Sequence, residues 1–443
     1  MIKKELKKLV GLKKSEFDEF VTLGNIKVQP ARLIPVLKTG DEMALTSIFL
    51  SAVKLVKEFR DGLFKDIKLS RAGKVFYYTE ASFPDISNCR VDGLIIVVVK
   101  GVIIDASFFE MKNKNNSLDQ AQIESYLDIS KQLKVPKLIT VSNELVPDPT
   151  ISPVNVKVPK NVSLLHFSWT YFITKGQLLL FNNDFNIEDE DQVEIMREVL
   201  YYFNNTSSGI SRFTQMNSGW KELVESVKGR KPLKLGDQFI TDAILSWYEE
   251  EKDMALLLSR HLGVLVKSSV KKKESLKDDI KKVIKDNKLN GVLSIKGAVS
   301  DLKIKLDLES SVVSMSNKII PPLNKGLVGR VSAFAKQLEN CKKKNPELFE
   351  KIQKSIWIEA DVKFAKENLK VKVAELGELS EIAKGKEIQA FHIVYMNDFK
   401  ASFSSNKKFI VTIEEMLLDY YEVLVQHLKN WEKPSPRIEI GEV

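Results

Sequence analysis

Residues 94–99 form an unbroken apolar, mostly β-branched run, LIIVVV, the pattern of a strand buried on both faces. Lys100 and Gly101 interrupt it, and Val102–Met111 resumes an extended, β-favouring pattern, so the two stretches predict a hairpin. Upstream, Gly40 and Asp41 read as a cap for a helix over 42–59, with Leu45, Ile48, Phe49, Ala52, Val53 and Val56 at helical spacing. Residues 66–69 and 74–79 read as strands around a turn at 71–73, and 2–12 as an amphipathic helix in a basic N-terminal segment. Downstream, the pattern predicts a helix over 117–133, a strand at Lys137–Ser142, a Pro-rich surface loop over 143–160, a strand at 162–167 and a helix over 189–204. Strand, helix and strand in that order imply a parallel crossover.

The second half keeps the periodicity but changes its character. Residues 205–211 and 228–237 are local breaks rich in turn formers. Gln238–Leu262 reads as a long helix, and 267–288 as a lysine-dense one with Ile280, Val283 and Ile284 along one stripe. Two or three strands are expected over 291–316, a helix over 323–341, strands at 355–365, 369–375 and 388–395, and a final helix over 412–431. The chain therefore divides into a basic segment (1–38), an α/β domain (39–204), a linker (205–237) and an α+β domain (238–443). The last is a candidate for substrate grip, oligomerisation or partner binding.

Composition narrows the function classes. A chain of 443 residues with 44% hydrophobic and 29% charged residues suits two or three folded domains. The net charge of +9 is compatible with a polyanionic partner. Two distant cysteines, Cys89 and Cys341, make no disulfide or zinc framework, and four scattered histidines do not suggest a histidine-rich metal site. No apolar run reaches membrane-spanning length, and the first residues lack a secretory core, so a cytoplasmic protein without a membrane partner is expected.

The hairpin carries the candidate chemistry. A three-residue loop at 100–102 would pair Val99 with Ile103 and, counting back, Asp92 with Glu110; a two-residue turn would send Asp92 to the other face unless a bulge restores the phase. Lys112 shares the face of Glu110. Two carboxylates, with the backbone carbonyl of Met111, suit Mg²⁺ or Mn²⁺ beside phosphate oxygens, and Lys112 suits water positioning and charge stabilisation. On the following helix Gln122 and Tyr126 stand four apart on one face.

Asp92, then Glu110-Met111-Lys112 after a hairpin, then QIESY over 122–126, resembles the PD-(D/E)XK nuclease superfamily, in the RecB-type branch with a QxxxY motif that includes lambda exonuclease. The resemblance covers about the first 175 residues, and Val91 stands where the superfamily name has proline. It implies a restriction-endonuclease-like αβββαβ core with a mixed sheet flanked by helices. It also implies metal ligands at Asp92 and Glu110, a catalytic lysine at Lys112, an accessory pair at Gln122 and Tyr126, and Mg²⁺-dependent hydrolysis of DNA in restriction, phage defence or repair. In that superfamily a first core helix often adds an acidic residue near the metal; Glu42 is the candidate here, with a helix-dipole role as its alternative.

Glu80 ends an expected strand and is a weaker candidate for the same cleft. Lys325, Arg330 and Lys336 on the helix over 323–341 are candidates for a nucleic-acid-binding basic edge. Two alternatives stay open on residues alone: a catalytically inactive nucleic-acid-binding or scaffold protein on the same fold, and an RNA-directed nuclease.

Overall fold

The computed structural model describes residues 6–35, 37–114, 116–146, 148–181, 187–269, 273–365 and 367–432. The chain forms two compact units, Met1–Phe213 with Ser259–Leu265, and Thr214–Leu258 with Val266–Val443.

The first unit runs α1 (Lys14–Thr22), β1 (Lys27–Pro30), α2 (Glu42–Leu55), α3 (Lys57–Asp66), β2 (Lys74–Phe83), β3 (Ser87–Val99), β4 (Val102–Met111), α4 (Gln120–Leu133), β5 (Lys137–Ser142), β6 (Ser163–Ser168), α5 (Trp169–Leu179) and α6 (Glu190–Asn204). Its six strands pair in sequence order, β1 to β4 antiparallel and β4 to β6 parallel, so the sheet is mixed. The β4–α4–β5 crossover is the parallel unit expected from the pattern. Two apolar layers hold the sheet. On one face α2, α3, α5 and α6 bury Phe49, Phe59, Trp169, Phe172 and Phe203 against Ile95, Val97 and Phe109. On the other, α1 and α4 bury Phe17, Ile123 and Tyr126 against Leu94, Ile96 and Phe108.

The β3–β4 hairpin solves its phase problem with a bulge. Lys100 and Gly101 both take left-handed backbone angles, φ 49° and 78°, and form a two-residue turn that pairs Val99 with Val102. Alone, this turn would misplace Asp92. Between Val98↔Ile103 and Val97↔Asp105 the register shifts by one, with exposed Ile104 as the extra residue, and the pairing then runs regularly to Gly93↔Phe109. The next position sets Asp92 opposite Glu110. Gly93 has little spare room: a Cβ there would lie 3.0 Å from Leu50 and 3.1 Å from Phe109, so a larger residue would make α2 or the hairpin give by a few tenths of an ångström beside Asp92.

Several elements differ from expectation. The helix over 42–59 is two helices, because Val56 turns extended (φ −105°, ψ 107°) and the Lys57 amide donates to the Gln192 side chain instead. Residues 66–69 are not a strand. They close α3, with the amides of Ile67 and Leu69 returning to the carbonyls of Leu63 and Phe64, and both side chains enter the core from there. Of the helix expected over 2–12, residues 2–5 lie outside the described residues. Residues 6–12 are irregular and strap the hairpin, Gly11 N–H donating to Ile103 O and Ile103 N–H to Leu12 O, which buries Leu6, Leu9 and Leu12 without a helix.

The second unit holds α7 (Ser218–Lys228), most of α8 (Gln238–Leu262), β7 (Val266–Ser268), α9 (Lys273–Asp286), β8 (Lys288–Ile295), β9 (Leu302–Asp307), β10 (Val312–Ile319), α10 (Leu327–Lys344), α11 (Pro346–Ile352), β11 (Ile356–Val362), β12 (Leu369–Lys372), α12 (Leu379–Ile382), β13 (Ile388–Asp398) and α13 (Asn406–Val423). Its seven strands, ordered β12-β11-β13-β10-β9-β8-β7, are antiparallel throughout. In β9, LKIKLD, leucine and isoleucine are buried while both lysines are exposed, the alternation of a sheet with one covered face. Phe334 of α10 stacks on Phe391 of β13, and Tyr420 of α13 stacks on Tyr395. The lysine-dense stretch begins as strand β7 before becoming α9, and 373–378 is a 3₁₀ turn after the short β12. Among the described residues no helix is long and apolar enough to cross a membrane.

Candidate functional site

The register of the first sheet lines up polar residues across the strands. Thr79↔Gly93 and Ala81↔Val91 leave Glu80 level with Asp92. Asp92 is level with Glu110, Glu110 pairs with Thr140, and Thr140 with His166. The row divides into two parts. Thr140 Oγ1 and His166 Nδ1 lie 2.9 Å apart, and His166 Nε2 lies 2.9 Å from the Glu144 carbonyl, so these two satisfy each other. Burial pushes the His166 imidazole down to about 4, which keeps it neutral and structural.

The other part is charged. Lys112 Nζ stands 2.7 Å from Glu110 Oε1 and 3.4 Å from Glu42 Oε2. Asp92 Oδ2 accepts a 2.7 Å hydrogen bond from the Met111 amide. Glu42 Oε1 accepts from Asn116 Nδ2 at 2.7 Å. The structure therefore brings Asp92, Glu110, Met111, Lys112 and Glu42 together at one end of the sheet. Glu42 arrives because Asp41 caps α2, its carboxylate accepting from the Met43 amide and fixing the first turn.

Charge in this cluster is out of balance. Glu110 is fully buried; burial, and then the Asp92 carboxylate, push its carboxyl up to about 8. Asp92 is raised by burial too, although the Met111 amide and Lys112 oppose the shift. A charged Asp92 disfavours ionisation of Glu110, so the two carboxyl groups do not titrate independently. Burial works against the Lys112 ammonium, but Glu110, Asp92 and Glu42 outweigh it and its pKa rises. One ammonium faces three carboxyl groups. That surplus of hard oxygen donors fits a divalent cation such as Mg²⁺, with Asp92 and Glu110 as the central pair. Among the described residues no three acidic, histidine or cysteine side chains are gathered closely enough to enclose an ion by themselves.

Gln122 and Tyr126 do meet: Gln122 Nε2 donates to the Tyr126 hydroxyl at 2.7 Å, and that hydroxyl donates to the Arg90 carbonyl at 2.7 Å. Tyr126 is buried, and burial, Glu110 and Asp92 all raise its pKa. The pair thus braces the start of β3. Glu80 is buried and takes a left-handed φ of 55°; Arg90 Nη1 lies 2.7 Å from its Oε2. Burial raises the Glu80 carboxyl, and Arg90 offsets part of the rise.

No family model matches the chain, and searches of curated proteins and of solved structures return no match.

Three further residues, Asn113, Lys114 and Trp169, build the site without any motif pointing to them. Asn113 Nδ2 donates to Gly40 O at 2.9 Å and to Ser208 O at 2.7 Å, while Lys114 N–H donates to Gly209 O at 2.7 Å. This clamp joins the loop before Glu42, the loop after Lys112 and the loop after α6. Gly40 (φ 75°) sits inside it, where a Cβ would collide with the Ser207 carbonyl. Trp169 Nε1 donates to the Lys112 carbonyl at 2.8 Å and fixes the backbone of the lysine. The polar run Asn113–Asn116 after Lys112 was the available signal; the partners across the fold were not visible from it.

The basic edge expected on a helix over 323–341 does not hold as three residues: the helix, α10, begins at Leu327, after Lys325. Lys325 and Lys336 are exposed, but Arg330 is only 6% exposed. Its guanidinium donates to the carbonyls of Lys325 (2.8 Å), Ile388 (2.5 Å) and Leu323 (2.8 Å) and lies 3.3 Å from Glu387. Arg330 is a clasp, its guanidinium meeting the carbonyls of residues 323 and 325 and that of residue 388, far along the chain.

Proposed function

We propose that the protein is a metal-dependent nuclease that hydrolyses DNA, built on a restriction-endonuclease-like core formed by α2, β2–β4, α4 and β5. The observation that carries this reading is the buried hairpin end where Asp92 stands level with Glu110 while Lys112 Nζ lies 2.7 Å from Glu110. The order helix, three antiparallel strands, helix, parallel strand supports the core, as does the placement of Glu42 on its first helix.

In this reading Asp92, Glu110 and the Met111 carbonyl, with Glu42 alongside, would hold Mg²⁺ or Mn²⁺, which would polarise a phosphate oxygen and acidify water. The rest falls to the side chains. Lys112, which lies 2.7 Å from Glu110, would be free to face the attacking water and the developing phosphorane charge if a cation took over the Glu110 carboxylate. The Glu110 carboxyl, raised by burial and by Asp92, would have to be ionised to serve as a ligand. Gln122 and Tyr126 hold the Arg90 carbonyl and so the approach of β3 to the site.

The lack of a ready three-ligand cluster among the described residues favours one second reading, a non-catalytic nucleic-acid-binding protein on this fold. A single experiment separates the two. Wild type and Lys112→Ala are incubated with supercoiled plasmid, linear duplex, single-stranded DNA and RNA in Mg²⁺, Mn²⁺ or EDTA. Metal-dependent DNA cleavage lost in Lys112→Ala supports the nuclease; DNA binding without cleavage in any metal supports the alternative; preference for RNA would reassign the substrate.

A further inference from the structure

Beside the acidic cluster, between the edge strand β1 and the first turn of α2, lies a pocket of about 320 Å³. That volume is at the lower end of the roughly 300–1,000 Å³ spanned by small-ligand pockets. Its apolar walls come from Pro30, Pro35, Leu37 and Met43, and its polar lining includes Thr79 and Arg32. Two of these residues adjoin the candidate site in sequence: Met43 follows Glu42, and Thr79 precedes Glu80.

Arg32 is held in an unusual way. Its amide donates to Ser47 Oγ at 2.8 Å, and Ser47 Oγ donates back to the Arg32 carbonyl at 2.8 Å. The backbone is therefore bolted to α2 while the side chain remains exposed. Among the described residues no carboxylate pairs with the Arg32 guanidinium, whereas the other arginine at the site, Arg90, is already engaged by Glu80. An exposed guanidinium on an anchored backbone, without an internal counter-ion and at the rim of a pocket with one apolar wall, matches a ligand with a flat apolar body and an attached anion. A nucleotide is such a ligand.

Resting on the nuclease reading, we propose that this pocket is a nucleotide subsite for single-stranded DNA: the base lies against Pro30, Pro35, Leu37 and Met43, and the adjoining phosphate is held by Arg32. A strand so held would run on past Glu42 to the carboxylate pair. The acidic cluster repels phosphate, so a cation of the chain's own beside it is what a substrate strand needs before any metal is present.

The test is binding without catalysis. A 5′-phosphorylated thymidine pentanucleotide is titrated by fluorescence anisotropy in EDTA against the full chain, Arg32→Ala, Arg32→Lys, Leu37→Glu and a charge-matched control, Arg197→Ala, which does not line the pocket. Loss of the Arg32 contact is expected to weaken binding about tenfold. Leu37→Glu should weaken it comparably, Arg32→Lys should recover part of the loss, and Arg197→Ala should change it less than about twofold. An oligonucleotide with abasic sites throughout should bind more weakly to wild type. Equal affinity of Arg32→Ala and wild type, equal losses in Arg32→Ala and Arg197→Ala, or no binding by wild type would each overturn the subsite. Arg32-dependent binding with no cleavage in any metal would keep the subsite and remove the nuclease reading instead.

Discussion

Lys112 and Arg330 are both largely buried cations, and they are solvated in opposite ways. Arg330 lies among three carbonyls with one half-exposed carboxylate, so its charge is met by dipoles and a single counter-charge. Lys112 lies among three carboxyl groups, two of which are raised by burial. The Arg330 arrangement is complete as it stands; any further ion would disturb it. The Lys112 arrangement sets one ammonium against three carboxyl groups, which leaves room for a proton or a second cation. A buried charge that is fully matched reads as architecture, and one that is mismatched reads as chemistry.

The strongest way to break this contrast is to remove each cation. Lys112→Ala should lower Mg²⁺-dependent cleavage on the order of 10²–10⁴-fold, measured as initial rate on linear duplex. Arg330→Ala should leave the cleavage rate of the folded protein unchanged within about threefold while lowering the unfolding free energy by about 2–4 kcal/mol, read from urea melts. Comparable rates for Lys112→Ala and wild type would dissolve the distinction.

The next effect is in the pH dependence. The Glu110 carboxyl is raised in the folded state to about 8, so the folded chain binds a proton that the unfolded chain has already released. Its contribution to stability is complete below the unfolded carboxylate range and is lost as pH rises through about 8. Metal-free protein should therefore lose thermal stability from about pH 5 to 8 through this group, and Glu110→Gln should flatten the slope and raise Tm at pH 8. Adding Mg²⁺ or Mn²⁺ at pH 7 should raise Tm in wild type and release protons, measurable by calorimetry in buffers of different ionisation enthalpy. No such slope between pH 5 and 8 is expected around Arg330, since its neighbours are neutral carbonyls and Glu387, whose carboxyl is held below its usual range by Lys363 and Arg330.

The smallest predicted effect belongs to the clamp. Asn113→Ala removes two hydrogen bonds that set the loops of Glu42 and Lys112. It should reduce kcat by about tenfold with little change in KM, while the main unfolding transition moves by no more than about 1–3 kcal/mol. Equal losses in kcat and in folded fraction would make Asn113 purely structural.

The hairpin, the crossover and the alternating strands of the second unit were legible because period and β-branching speak directly to burial. The phase of Asp92 was legible only as a condition, a longer loop or a bulge. Ile103 and Ile104 look alike in sequence, and only their pairing makes one of them the extra residue. Val56 and the 66–69 stretch misled because a short apolar pattern does not distinguish a helix end from a strand. Arg330 misled for a different reason: whether a surface-helix arginine meets water or carbonyls depends on loops around residues 323 and 388, far apart in the chain. The Arg32 pocket was illegible because it depends on the pairing of the edge strand β1 with β2 and on one serine of α2.

The Asn113 clamp also sets an order of assembly. Its acceptors lie at Gly40 and Ser208, so the chain must be synthesised past α6 before Glu42 and Lys112 are locked at their observed separation. A fragment ending at residue 204 would retain every strand of the first sheet and lose one of the two carbonyls that hold Asn113. On an emerging chain the sheet can form early, whereas the charged cluster takes its observed geometry only when the loop beyond α6 arrives, a built-in delay between forming the sheet and setting these side chains.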